Sequence, residues 1–284
     1  MAAITDLSDL VNRMTGGNSG TPEVLWVTKF PTIANTLVNA TGGFTYSYWQ
    51  FDGAGGGSGA VPTTVAAPTS ATVGAIPFTD PGGGRQKWLV QGGLVTLENS
   101  NTGACGAITL YDRLLHIGDL DGTVTTAQTV GGTLTRNTGG VGNKIYVEIY
   151  SDIGTTERTI TASYTNQAGT ASRTTQATII GGNYNRAKQH SFFELPLQDG
   201  DTGVQAVASV TISASTGTAG NFGITVGRPL AQFSNSWRWG DQIDFTIGLR
   251  GIPEIEAGAC LATVLHGAVT SEHSWMLTLS TVEA

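Results

Sequence analysis

The chain has 284 residues, with 14 Lys and Arg against 21 Asp and Glu, a formal net charge of −7, and charged residues make up only 12% of it. A usual domain carries about 25%, so a self-repelling disordered chain is excluded, and the few scattered basic residues argue against broad nucleic-acid binding. The 40 Gly and 42 Thr disfavour a helical protein, and low charge with 39% hydrophobics suits a surface buried against neighbours.

In chain order, the start MAAITDLSDLVNRM lacks a basic segment followed by an apolar run, so no signal peptide is expected there. No window approaches the roughly 18 apolar residues of a membrane span. Synthesis in a reducing cytoplasm is the default reading, with no membrane partner. One helix is predicted. Thr5 can cap it, Leu7, Leu10, Val11 and Met14 recur at helical spacing, Arg13 lies in the last turn, and Gly16 and Gly17 stop it. Three apolar turns are marginal alone. The helix must therefore dock on its own domain or on a neighbouring subunit, and residues 1–20 are read as an N-terminal helix or arm.

From Gly20 onward the pattern is strands broken by turns. Strands are predicted at Val24–Thr28, Phe44–Phe51, Lys87–Gln91, Leu94–Glu98, Ala107–Asp112, Thr123–Val130, Lys144–Ser151 and Arg158–Thr165. More follow at Thr174–Ile180, Ser191–Leu197, Val204–Ser213, Phe222–Arg228, Gln242–Ile247, Leu261–His266 and Trp275–Thr281. In Lys144–Tyr150 the period is two: Ile145, Val147 and Ile149 face one way, Tyr146, Glu148 and Tyr150 the other. Between strands, Asp52–Gly59 reads as a flexible loop, Val61–Pro77 as an extended segment with three prolines, and Asp80–Gly84 as a turn. Gly131–Gly140 reads as long-loop material. The fold class is all-β, an antiparallel sandwich or jelly-roll-like core over residues 21–284, with room for a subdivided C-terminal part from about residue 190.

Chemistry is sparse. His116, His190, His266 and His273 stand in no metal-ligand spacing, although His266 and His273 fall on adjoining predicted strands. Asp119-Leu120-Asp121-Gly122 opens like a calcium loop, but Val130 stands where the twelfth-position Glu belongs, so an acidic turn is the better reading. Asp199-Gly200-Asp201 is read as a turn as well. The glycine strings lack a phosphate-loop pattern. Cys105 and Cys260, both in Gly-Ala-Cys settings, read as small buried core residues, and a bridge between them stays open. No catalytic, cofactor-binding or metal-binding residue is expected. The aromatic groups say more: Tyr46, Tyr48, Trp49 and Phe51 sit together, as do Phe233, Trp237 and Trp239. For the first group, interface and core packing weigh about equally; Ser234–Gly240, which carries Trp237 and Trp239, reads as a loop that contacts a partner or a glycan.

Six segments taken together resemble structural proteins of tailed-bacteriophage virions. They are DLVNRMTGG (Asp9–Gly17), DPGGGRQKWL (Asp80–Leu89), LYDRLLHIG (Leu110–Gly118), Leu120–Asn143, ASYTNQAGTA (Ala162–Ala171) and Gly200–Val210. Within that group the chain is most similar to a capsid decoration (cement) protein. The resemblance implies no catalytic residue and no cofactor. It implies a location on the capsid exterior, the major capsid protein lattice as partner, and self-association as a homo-oligomer. The interface candidates are then Leu7, Leu10, Val11 and Met14 of the helix, Tyr46, Tyr48 and Trp49, and Trp237 and Trp239. The alternative is a tail or fibre protein that recognises a host glycan through the Trp237/Trp239 loop. A carbohydrate-active enzyme ranks last, because no acid/base pair stands out.

Overall fold

A computed structural model describes residues 4, 7–17, 20–29, 45–53, 55–96, 106–182, 186–235, 241–244, 251–267 and 275–283. One helix, α1 (Leu7–Met14), precedes the strands β1 (Thr21–Lys29), β2 (Thr45–Ser47), β3 (Lys87–Thr96), β4 (Gly106–Leu120), β5 (Gln128–Thr129) and β6 (Lys144–Ser151). Then come β7 (Arg158–Asn166), β8 (Arg173–Thr174), β9 (Thr178–Ile180), β10 (Phe192–Leu195), β11 (Val204–Ile212) and β12 (Asn221–Asn235). The last four are β13 (Asp241–Asp244), β14 (Glu254–Ile255), β15 (Leu261–Gly267) and β16 (Trp275–Glu283).

The protein is an antiparallel β-sandwich, as its composition and period-two runs predict. A central six-stranded sheet runs β10-β6-β12-β4-β15-β2. A second sheet, β5-β11-β7-β8 with β9 on β7, packs on it through Ile145, Val147, Ile149, Phe222, Ile224 and Val226 against Ile160, Val207, Val210 and Ile212. A third, β1-β16-β3-β13 with β14 on β3, packs through Val27, Leu89, Leu277 and Leu279 against Ile108, Leu110, Phe233 and Leu261. The strands after residue 190 are spread over all three sheets, so no C-terminal part separates by sheet membership.

Two 15-residue strands, β4 and β12, serve both cores. Along β4 the core residues change parity, from Ile108 and Leu110 to Leu115 and Ile117, and along β12 from Phe222, Ile224 and Val226 to Ala231 and Phe233. With a side-chain period of two, such a change needs an inserted residue. The register supplies it: Leu114 is extra between the pairs Leu115–Val226 and Arg113–Gly227, and Leu230 between Tyr111–Pro229 and Leu110–Ala231, while a third shift adds one more β4 residue between Ile117–Ile224 and Leu120–Phe222. The second bulge also explains why β12 continues past Arg228, where a proline predicts a stop. Pro229 cannot donate to a ladder but is tolerated at a bulge.

Other boundaries moved as well. Lys87–Gln91 and the start of Leu94–Glu98 are one strand, β3, which runs through Gly92 and Gly93 to Thr96; Leu97 and Glu98 lie outside the described residues. Gly92 is needed there: a Cβ on it would lie 2.2 Å from Phe233 Cε1. Of Thr123–Val130 only Gln128–Thr129 is a strand. The proline-rich segment lies along the central sheet: Ala66 exchanges backbone hydrogen bonds with His116 of β4, and Ile76 N donates to Leu261 O at 2.8 Å. The Asp52–Gly59 loop is held rather than loose. Lys29 Nζ donates to the carbonyls of Phe51, Gly56 and Gly57 at 3.0, 2.7 and 3.0 Å. Gly55 and Gly56 take φ of 114° and 105° there, a conformation other residues avoid.

Candidate functional site

The interface candidates part company in the structure. On α1, Leu10 is buried with Val90 of β3 and Val282 of β16, and Met14 packs beside it. The helix therefore docks on the chain's own third sheet. Its remaining apolar residue, Val11, is 54% exposed. Leu7 lies in the helix, its side chain outside the described residues. Next to the helix, β1 presents Val24 and Trp26 outward, 55% and 64% exposed, while Leu25 and Val27 turn into the core. Sequence reasoning missed Trp26; the period-two pattern of TPEVLWVTK, with Leu25 and Val27 inward, carried the signal.

Tyr46, Tyr48 and Trp49 are corrected as interface candidates: at 5%, 1% and 1% exposure they belong to the interior. Tyr48 packs on Phe51 and edge-on to Trp275, with ring centroids 5.1 and 5.4 Å apart. Trp49 lies over the Arg113 guanidinium at 4.4 Å and donates Nε1 to Ala60 O at 2.9 Å. The strand predicted at Phe44–Phe51 ends at Ser47, and the chain then carries Trp49 under the 55–80 segment, beside Gly59, Ala60 and Gly74. Trp237 and Trp239 lie outside the described residues, as do Cys105 and His273.

Trp49 roofs a buried polar chamber. Arg113 is fully buried and donates Nη2 to Glu148 Oε2 at 2.6 Å and to Tyr150 Oη at 2.7 Å, Nη1 to Tyr111 Oη at 3.2 Å, and Nε to His116 Nδ1 at 2.9 Å. Tyr150 Oη and Thr225 Oγ1 donate to Glu148. His116 must accept at Nδ1, so it is neutral with its proton on Nε2; burial and the neighbouring guanidinium pull its pKa down to about 3. Glu148 stays ionised below the usual carboxylate range, because Arg113 and the hydroxyls outweigh the burial that opposes them. A second buried pair, Arg136 with Asp112 at 2.8 Å, ties the Gly131–Gly140 loop to β4. Closed to solvent, the chamber builds a framework and offers no substrate a path.

The acidic turns behave as turns. Asp121 Oδ1 accepts from Thr123 N and Oγ1, Asp119 from Asn221 Nδ2, and Asp201 from Arg173, Tyr164 and Asn166. Among the described residues no group of three His, Cys, Asp or Glu is placed to hold a metal ion. Cys260 is buried and its thiol is pushed up to about 12 by burial. His266 lies between two hydroxyls, Thr109 Oγ1 at 2.9 Å from Nε2 and Thr45 Oγ1 at 3.3 Å from Nδ1.

Beside His266 a cleft of about 620 Å³ opens against β4, β6, β10, β12 and β15 of the central sheet. Its wall is an aromatic stack, Tyr146 on Phe192 at 4.6 Å and Phe192 on Tyr111 at 5.7 Å. Sequence reasoning passed over it, because the period-two pattern of Lys144–Tyr150 puts Tyr146, Glu148 and Tyr150 on one face without showing the neighbours that β10 and β15 bring to it.

No protein-family model matches the chain, and no curated protein matches it. Among solved structures, likenesses are to infectious bursal disease virus. The Gt strain structure shares 10% identity at TM-score 0.21 over 93% of this chain and 81% of that one. The VP2 subviral particle shares 10% identity at TM-score 0.21 over 93% and 80%. Superpositions of that quality reflect shared strand content, and the sandwich rests on the strand order itself.

Proposed function

We propose that this is a non-enzymatic structural protein of a virion, and more narrowly that it decorates the outer lattice of a tailed-phage capsid as a homo-oligomer. The phage-like segments, the low charge and the β-sandwich support the reading. The observation that carries it is the exposed apolar group Val11, Val24 and Trp26, on a helix and an edge strand that pack together. Large apolar side chains held outward on a rigid sheet favour a partner surface, and Trp is a common anchor of such contacts. Many weak copies on a lattice then add by avidity.

The test is reassembly of the purified protein on undecorated shells. Trp26→Ala is expected to cost on the order of 2 kcal/mol per contact and to lower occupancy visibly. Deletion of residues 1–20 is expected to abolish incorporation while leaving a folded β protein. Wild-type protein should stay bound when salt rises from about 0.1 to about 1 M, since screening removes mainly charge-based contacts. Full occupancy by both variants would overturn this docking face. A copy number of a few per particle, rather than hundreds, would instead place the protein in the tail.

A further inference from the structure

The cleft beside His266 is independent of the docking face, which lies on another sheet. Three features define what it would hold. The first is the half-buried ring of Tyr146, held in place by stacking on Phe192, which with Tyr111 belongs to the buried interior behind it. A ring face of this kind stacks on apolar C–H surfaces.

The second is a set of hydrogen-bonding groups left over. The Tyr146 hydroxyl makes no hydrogen bond among the described residues and is not sealed from solvent, and the exposed Gln232 amide is likewise unengaged. Between them these two groups supply donors and acceptors at separate points of the lining.

The third is charge balance. Glu194, on the rim, is paired with Lys144 at 2.8 Å. Arg186 lies on the Phe193 ring at 4.8 Å and donates Nη1 to Ile179 O at 2.9 Å. Both ring nitrogens of His266 are engaged by threonine hydroxyls.

We infer that this cleft is a binding site for a neutral saccharide of two or three rings. A sugar ring presents C–H groups on its faces and hydroxyls around its edge, which matches the accessible part of the Tyr146 ring beside free polar groups. A volume of about 620 Å³ lies inside the range of about 300–1,000 Å³ typical of small-ligand sites. A purely apolar ligand would strand the Tyr146 hydroxyl and the Gln232 amide; a charged one would meet ions already paired.

The experiment is saturation-transfer NMR on the full chain with maltotriose, cellotriose, tri-N-acetylchitotriose and the acidic sialyllactose. At least one neutral trisaccharide is expected to bind saturably, with a Kd on the order of 1 mM or tighter. Tyr146→Phe, which removes only the hydroxyl, should weaken it about tenfold. Gln232→Ala, at an exposed position that folding does not need, should weaken it by a smaller factor. Absence of saturable binding by all three neutral sugars overturns the proposal. So does binding that neither variant changes, tighter binding of sialyllactose than of every neutral sugar, or displacement of the sugar by a proline-rich peptide at lower concentration.

Discussion

Arg113 and Glu148 form a fully buried ion pair, Nη2 to Oε2 at 2.6 Å, between two strands that are not neighbours. β12 lies between β4 and β6, and the pair reaches across it. The register shows how: Arg113 stands opposite Gly227 and Glu148 opposite Gly223, with Thr225 between them donating to Glu148. Removing one partner strands a charge in the interior. Arg113→Met or Glu148→Gln alone is therefore expected to cost about 3–5 kcal/mol. Replacing both with apolar residues should recover most of it. Urea unfolding of the two single variants and the double variant measures this, and additive losses in the double would show that the pair does not act as a unit.

The glycines of β12 are the second expectation. A Cβ on Gly227 would lie 2.7 Å from Tyr111 Cδ2, and one on Gly223 would lie 2.0 Å from the Ile117 carbonyl oxygen. Gly223→Ala must push backbone and should destabilise by more than 2 kcal/mol, on the order of an overpacked core. Gly227→Ala meets only a ring edge, so it should cost less. Thermal melts of the two variants rank them, and the reverse order would count against the account.

Much of the fold was legible from residue pattern. Period-two runs located β6, β7, β11 and β16 nearly to the residue, and the helix's C-terminal end followed from Arg13 and Gly16, while Thr5, read as its cap, lies outside the described residues. What escaped was set by non-local contact. The Leu114 and Leu230 bulges have no local signature, so the length of β4 and β12 was hidden. Tyr48 and Trp49 look alike as surface or core residues until Trp275 is seen to pack on the first and the 55–80 segment to cover the second. Arg136 sits in a stretch of Gly and Thr that reads as loop, and only its distant partner Asp112 marks it as buried structure. The cleft draws on β4, β6, β10, β12 and β15, and no linear motif gathers them.

Acid should unfold the protein through its buried histidines. The pKa of His116 is pulled down to about 3, by burial first and then by Arg113, and that of His190 to about 4, by burial. An unfolded histidine takes its proton near 6.5. Each folded value lies below the unfolded one, so the unfolded state binds more protons between them. The stability is whole above about pH 6.5 and is lost as pH falls toward 4 and then 3. For His116 the full loss is on the order of 5 kcal/mol at about 1.4 kcal/mol per pKa unit. Urea midpoints should fall steeply from pH 7 to pH 4. His116→Asn should flatten that slope, and an unchanged slope in this variant would assign acid sensitivity to other groups.

Lys29 provides the last expectation. The residue is 1% exposed, and its ammonium points three donors at the carbonyls of Phe51, Gly56 and Gly57. An ammonium has three N–H groups and no acceptor, so three carbonyls satisfy it completely. The carbonyls in turn belong to a loop whose positive-φ glycines give it no rigidity of its own. Lys29→Met keeps the length and apolar stem but leaves those carbonyls without their donor; Lys29→Arg keeps the charge but adds a planar fork that does not match a three-point cage. Unsatisfied buried carbonyls cost about 1–3 kcal/mol each where water cannot reach them. Because this loop lies near the surface, it is expected to open to water instead. The effect should thus be local: amide exchange in residues 51–59 accelerating at least about tenfold in Lys29→Met, new proteolytic cuts in that glycine stretch, and little change in exchange in β6 or β12. Arg should rescue only part of the protection. If both variants instead lose global stability with no preferential exchange at 51–59, Lys29 supports the sheet rather than the loop.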